Sequence, residues 1–172
     1  MKKKRWLDGV LYVGFAFYIL LLLRVVVFKY VMPWGLLSEE RYFSRTVNLV
    51  PFSDVINGNF TTLDIYGNIL IFLPLGIYFS VFFSKAKVYV NLLKVILVSL
   101  TIELLQYILA IGAADTTDII TNTAGGLAGI GIYMGIRLIA KSEAGARTAV
   151  TLCSMVTMMF TIIIVSLLFI AN

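Results

Sequence analysis

Seven polar side chains in this 172-residue chain have the types and spacing to do chemistry: Asn48, Asn68, Glu103, Gln106, Asp115, Asp118 and Asn122. Glu103 and Gln106 are three residues apart, so on a helix they share a face. Asp64 and Asn68 are four apart, as are Asp118 and Asn122. Both pairs open the pattern Asp-Ile-x-x-Asn, which hints at an old duplication of a two-span unit. Carboxylates and amides supply only oxygen ligands and amide donors. The chain has no histidine, which removes imidazole metal sites and histidine-based nucleophilic triads. Any metal would be a hard one, Mg²⁺ or Ca²⁺, but the spacing matches no metal loop, so neither a metal nor a cofactor is expected. Helix N-termini beside amide side chains could instead hold a phosphate or carboxylate. If a reaction is catalysed, Glu103 and Asp118 are the candidate acid and base. No nucleophile sits beside a base in a recognisable motif, so nothing in the sequence shows turnover. Each residue also has a plain structural role open to it. Asp64 and Asp118 can cap helix N-termini, Asn68 and Asn122 can bond neighbouring helices, and Glu103 can bond Gln106 or Asn122.

The elements that position these residues are membrane spans. Hydrophobic residues make up 60% of the chain and charged ones 13%, with a mean hydropathy of +0.98. This excludes a soluble enzyme, a disordered regulator and a nucleic-acid binder. A spanning helix needs about 20 mostly apolar residues, and five runs qualify, near residues 6–28, 63–83, 88–111, 118–139 and 148–171. The expected fold is an all-α integral membrane protein, one domain over 1–172, with five helices and a long outer loop between the first and second. The first run is too long for a signal core and no A-x-A-like site follows it, so it reads as a retained span. The single cysteine, Cys153, lies in an apolar run, so no intramolecular disulfide is possible.

Basic residues set the orientation. Lys2, Lys3, Lys4, Arg5, Lys85, Lys87, Lys94, Arg137, Lys141 and Arg147 fall on one side; Arg24, Lys29, Arg41 and Arg45 fall on the other with most of the acids. The excess places the N-terminus in the cytoplasm and the C-terminus outside. Arg24 and Lys94 can snorkel from span ends and are given no function. In this orientation the polar residues of three spans all lie in the outer half. Glu103 is about two turns, or ~12 Å, from the outer end of its span, and a carboxylate there needs a partner.

The loop from Lys29 to Thr62 carries Trp34, Leu36, Leu37, Val47, Leu49, Val50 and Phe52, so part of it should fold back toward the spans. Asn48 to Phe52 is expected to close over the polar cluster, with Pro51 and Phe52 as a lid and Pro51 biasing Val50 toward an extended backbone. Gly125-xxx-Gly129 and Gly131-xxx-Gly135 predict close helix packing by the fourth span. Pro74 predicts a kink in the second. Asn59-Phe60-Thr61 is a formal glycosylation sequon of a kind common by chance.

Four segments resemble the VanZ family: Asn48-Leu49-Val50-Pro51-Phe52; Asn68 to Gly76, with Phe72 and Pro74; Ser99-Leu100-Thr101-Ile102-Glu103 with Gln106; and Asp115, Asp118, Asn122 and Gly125 at their spacing. They run in order through about residues 45–135, while the first and last spans carry no such signature. The polar match is similar to members associated with teicoplanin resistance in Gram-positive bacteria. The resemblance implies a plasma-membrane protein that lowers susceptibility to teicoplanin-type lipoglycopeptides without rebuilding the peptidoglycan precursor terminus. Some members are called phosphotransbutyrylases, but no phosphate or acyl-CoA motif occurs here.

Three functions compete. The polar cluster could bind a membrane lipid, a lipid-linked wall precursor or the lipoglycopeptide itself. It could belong to an outer-face enzyme that modifies a lipid or surface-polymer headgroup. A transporter is the third, but five spans make a thin one, and the ionisable residues stop in the outer half. No nucleic-acid partner is expected, and the oligomeric state is not legible.

Overall fold

Long apolar runs become helices because a helix satisfies its own backbone where no water can. The computed structural model describes residues 2–28, 44–58 and 62–171. The expected loop positions Lys29, Trp34, Leu36, Leu37 and Arg41 and the 59–61 sequon lie outside the described residues, as do the side chains of residues 2–5. The elements are α1 (Lys2–Leu22), a π turn (Leu23–Val27), β1 (Ser44–Asn48), α2 (Ser53–Ile56), α3 (Thr62–Phe82), α4 (Val88–Leu109), β2 (Ile111–Asp115), α5 (Thr116–Ala140) and α6 (Glu143–Ala171). Five helical stretches are long and apolar enough to cross a membrane. The chain is therefore a multi-pass membrane protein built as an all-α bundle.

Several boundaries depart from expectation. The first span ends in a π turn. The third helix stops at Leu109, because Ala110 takes a left-handed conformation (φ 52°) and turns its N–H back to Gln106 O and Tyr107 O. The fifth helix starts at Glu143, after a two-residue connection in which Lys141 is also left-handed (φ 53°). At 29 residues, α6 rises about 44 Å, longer than the ~30 Å hydrocarbon core. A short parallel pair, β1 with β2, was not anticipated; Asn48 lies opposite Asp115 in its register.

The packing centre is α3 against α5. The two helices run parallel, since Ile69 meets Gly125 and Leu73 meets Gly129. A Cβ on Gly129 would sit 1.9 Å from Leu73 O, and one on Gly125 would sit 2.2 Å from Ile69 O. Backbones this close leave no room for a side chain, so this first small-residue pair packs as expected. Gly76 on α3 completes the contact: its Cβ would lie 2.0 Å from Gly126 O. The second pair does not pack. Nothing lies within 4 Å of a Cβ on Gly131 or Gly135 among the described residues. The reason is helical phase: six residues at 100° each turn Gly131 about 240° away from Gly125.

Pro74 lies inside α3, where its ring cannot donate to the preceding turn. The Tyr18 hydroxyl donates to Ile71 O in that turn (2.8 Å), so α1 supplies a donor beside the proline. Tyr18 belongs to a ring cluster with Phe15 of α1 and with Tyr78 and Phe82 of α3. At one end of the bundle Arg147 Nε meets Asp8 Oδ1 at 2.8 Å, tying α6 to α1. Along α6, Thr148, Thr151, Thr157 and Thr161 each donate to the carbonyl four residues back. These bonds pair the hydroxyls within the helix itself, both the buried Thr151 and the exposed Thr157.

Candidate functional site

The N-termini of α3 and α5, the C-terminus of α4, the π turn and the β1–β2 pair meet at one end of the bundle. Each polar residue is placed there by local chain logic. Asp115 ends β2 and is the N-cap of α5: its Oδ1 accepts from Thr117 N–H at 2.6 Å. The capping role considered for Asp118 thus belongs to Asp115. Asp118 stands in the first turn of α5 instead, where a carboxylate still favours the helix dipole. Its Oδ1 accepts from Asn68 Nδ2 at 2.8 Å, which joins α3 to α5. The two Asp-Ile-x-x-Asn segments therefore meet, the asparagine of one on the aspartate of the other.

Glu103 is 3% exposed, and its Oε2 accepts from the backbone N–H of Asp115 at 2.9 Å. The expected partners, Gln106 and Asn122, are not its partners; the β2 backbone is. Gln106 Nε2 donates to Val26 O at 3.1 Å, a carbonyl in the π turn. Asn122 is fully buried and donates from Nδ2 to Ser99 Oγ at 3.0 Å, one helix-to-helix bond between α5 and α4. Glu103 Oε1, Gln106 Oε1 and Asn122 Oδ1 are buried without a hydrogen-bond partner among the described residues.

The 48–52 segment is tied to β2 and to the start of α5. Asn48 Nδ2 donates to Asp115 Oδ2 (3.0 Å) and to Ser53 Oγ (2.6 Å), and its Oδ1 accepts from Val50 N–H (3.2 Å), closing the turn. Thr116 Oγ1 donates to Asn48 O and Phe52 N–H donates to Thr117 Oγ1. Phe52 adopts a left-handed backbone (φ 58°) and starts α2. Leu49, Val50 and Pro51 face away from the bundle and are exposed on the protein surface.

A cavity of about 280 Å³ opens beside Phe52 and α2. Asn68, Gln106, Asp115, Asp118 and Phe52 are in its wall; Asn48, Glu103, Asn122 and Pro51 are not. These last four, the binding candidates Asn48, Glu103 and Asn122 and the lid candidate Pro51, lie outside the described lining of the cavity. Asp54 and Asp64 also line the cavity. Residue types and spacing had placed neither in the site: Asp54 lies in a four-residue helix without a motif, and Asp64 read as a cap. The cavity wall thus carries four aspartates and, among the described residues, no lysine or arginine. Among the described residues no three histidine, cysteine, aspartate or glutamate side chains are grouped to hold a metal ion.

Away from this site, Lys94 donates to Asn91 Oδ1 (3.3 Å) and lies 3.4 Å from the centre of the Phe83 ring. Arg24 donates to Phe28 O. Both cations are satisfied locally, as snorkelling side chains are.

Comparison with known proteins places these contacts in a wider set. The family model VanZ/LLP1 matches residues 15–140, from the middle of α1 to the end of α5. Protein VanZ of Enterococcus faecium is 39% identical over 118 residues, covering 69% of this chain and 70% of that protein. No solved structure matches.

Proposed function

The chain belongs to the VanZ/LLP1 family, and from that premise we propose that it lowers susceptibility to teicoplanin-type lipoglycopeptides by binding. The cavity beside Phe52 and α2 holds a membrane lipid, a lipid-linked wall precursor or the drug, and so keeps the drug from anchoring beside its target. The protein sits in the plasma membrane with its N-terminus in the cytoplasm and its C-terminus outside, so the cavity faces the wall. The observation that carries this reading is the convergence of Asn68, Gln106, Asp115 and Asp118, from α3, α4, β2 and α5, on one cavity. The enzymatic alternative, with Glu103 as acid or base, is the weaker. Glu103 is not in the cavity wall, and one of its oxygens is committed to the Asp115 N–H.

The test is expression in a teicoplanin-susceptible Gram-positive host. The parent chain should raise the inhibitory concentration of teicoplanin, and Asp118→Ala, inserted at normal level, should return it to the host value. Mass spectrometry of membrane lipids and wall precursors should find no new product. Protection that persists in Asp118→Ala removes the cavity from the function. A modified lipid or precursor that depends on Glu103 replaces binding with catalysis.

A further inference from the structure

A second cavity, of about 640 Å³, lies at the opposite end of the bundle from Asn68 and Asp118. Four helices wall it, through Asp8 of α1, Ser84 just beyond α3, Tyr133 of α5, and Glu143, Arg147 and Thr151 of α6. Tyr133 is 4% exposed, yet its hydroxyl makes no hydrogen bond among the described residues. Nor is that hydroxyl sealed in, since the buried oxygens without partners belong to Glu103, Gln106 and Asn122. It opens on the cavity, where an entering acceptor would recover the free energy of an unpaired donor. Arg147 spends Nε on Asp8 Oδ1 and makes no other side-chain hydrogen bond among the described residues, which leaves its Nη groups as donors. Both carboxylates in the wall are already held by arginines, Asp8 by Arg147 and Glu143 by Arg137. Lys85 follows Ser84, and Lys87 and Lys141 lie at the same end. Lys2, Lys3, Lys4 and Arg5 at the start of α1 are all basic, so they can only add to that excess. The cavity also leads inward. From Val81 and Thr151 in its wall, three residues along α3 and α6 reach Tyr78 and Ser154, about 4.5 Å deeper. These two line an apolar groove of about 380 Å³ between the same four helices.

We propose that this second cavity holds the phosphate of a membrane phospholipid, with Arg147, Tyr133 and Ser84 donating to its oxygens and an acyl chain running into the groove beyond Tyr78. An oxyanion suits donors without acceptors of their own and basic surroundings, and the guanidinium fork suits phosphate. The groove favours a lipid over a free phosphate, because a chain attached to the headgroup has an apolar path to follow. This site is separate from the cavity beside Phe52 and does not depend on what that one binds.

Native mass spectrometry of the full chain in a neutral detergent tests this with three probes: dioleoylphosphatidylglycerol, dioleoylglycerol and inorganic phosphate. The first lipid bound per protein should be dioleoylphosphatidylglycerol, retained about ten-fold better than dioleoylglycerol, which has the same chains and no phosphate. Tyr133→Phe keeps the ring and removes the donor, and should lower that retention about ten-fold, as expected for one hydrogen bond to a charged group. The double substitution Asp8→Asn with Arg147→Gln replaces the ion pair by a neutral amide pair and should erase the preference for the phosphate. Leu49→Ala, at the other end of the bundle, should change nothing. Equal retention of dioleoylglycerol overturns the proposal. So does full retention by Tyr133→Phe, which decides the matter alone if the double variant fails to insert. Excess inorganic phosphate should leave the bound lipid in place; displacement of the lipid by it would make the cavity a site for free phosphate and overturn the assignment to a phospholipid.

Discussion

Among the described residues Glu103 makes its side-chain hydrogen bond through one oxygen, and what it holds is a main-chain group. Its Oε2 takes the N–H of Asp115, the residue that caps α5 and faces Asn48 across the strand pair. That bond fixes Asp115, and an amide oxygen can accept it as well as a carboxylate. Glu103→Gln should therefore keep most of the protection against teicoplanin, whereas Glu103→Leu should lose it. The leucine variant leaves the Asp115 N–H without a partner, at a cost of about 1–3 kcal/mol. Loss of protection in a normally inserted glutamine variant would give Glu103 the role of acid or base. Asn122 makes a sharper contrast, being buried on Ser99 and outside the cavity wall. Asn122→Ala should lower thermal stability in detergent modestly, by about 0.6 kcal/mol as for interhelical bonds in membranes, and leave protection against teicoplanin intact. Lost protection in a normally inserted variant would return Asn122 to the site. That these residues cluster was legible from their types and depth. Their partners were not, because Glu103 and Gln106 bond to backbone atoms of β2 and the π turn. Residue spacing carries no record of which main-chain groups a neighbouring element turns toward a side chain.

The elements divide along the same line. Five apolar runs announced the spans, since nothing but a helix hides that many backbone groups in lipid. The strands were hidden because each is five residues long and β1, Ser-Arg-Thr-Val-Asn, is mostly polar and lacks an apolar face. Its pairing with β2 closes over sixty residues of intervening chain, a long-range contact without a local signal. The small-residue motif was legible as a type of contact but not as a direction. Gly125 and Gly129 face α3, whereas Gly131 and Gly135 meet nothing among the described residues. Substitution separates the two pairs. Gly129→Ala forces a methyl to within 1.9 Å of Leu73 O, so the helices must part, at a cost on the order of 1–3 kcal/mol or more. Gly131→Ala should be neutral or slightly stabilising, because alanine is the better helix former. Size-exclusion profiles after heating in detergent read the difference, and an equally damaging Gly131→Ala would mean that this face is packed in the assembled protein. The strand pair has its own test. Asn48→Cys with Asp115→Cys, in a Cys153→Ser background, should crosslink on mild oxidation, because these residues face each other in register. Asn48→Cys with Asn122→Cys should not. The opposite pattern would detach the 48–52 segment from β2.

At the scale of the whole molecule the two ends of the bundle differ in charge. Asp54, Asp64, Asp115 and Asp118 gather at the cavity end, and among the described residues its cations are Arg24 and Arg45. Lys85, Lys87, Lys94, Arg137, Lys141 and Arg147 lie toward the other end, where Arg147 pairs with Asp8 and Arg137 with Glu143. A membrane reads that asymmetry during insertion, because clusters of lysine and arginine beside spans stay in the cytoplasm. That rule is the ground for the proposed orientation, in which the cavity end faces outward. Lys141 follows the C-terminus of the 25-residue helix α5, while Leu49 sits beside its N-terminus, so about 38 Å of helix separates the two levels. Leu49 is 76% exposed and accepts a cysteine without disturbing the cavity. In a Cys153→Ser background, a membrane-impermeant maleimide applied to whole cells should label Leu49→Cys and spare Lys141→Cys until the cells are opened. Labelling of Lys141→Cys from outside, with Leu49→Cys protected, would invert the molecule. It would turn the acidic cavity to the cytoplasm and end the case for capture of an amphiphile at the wall side of the membrane.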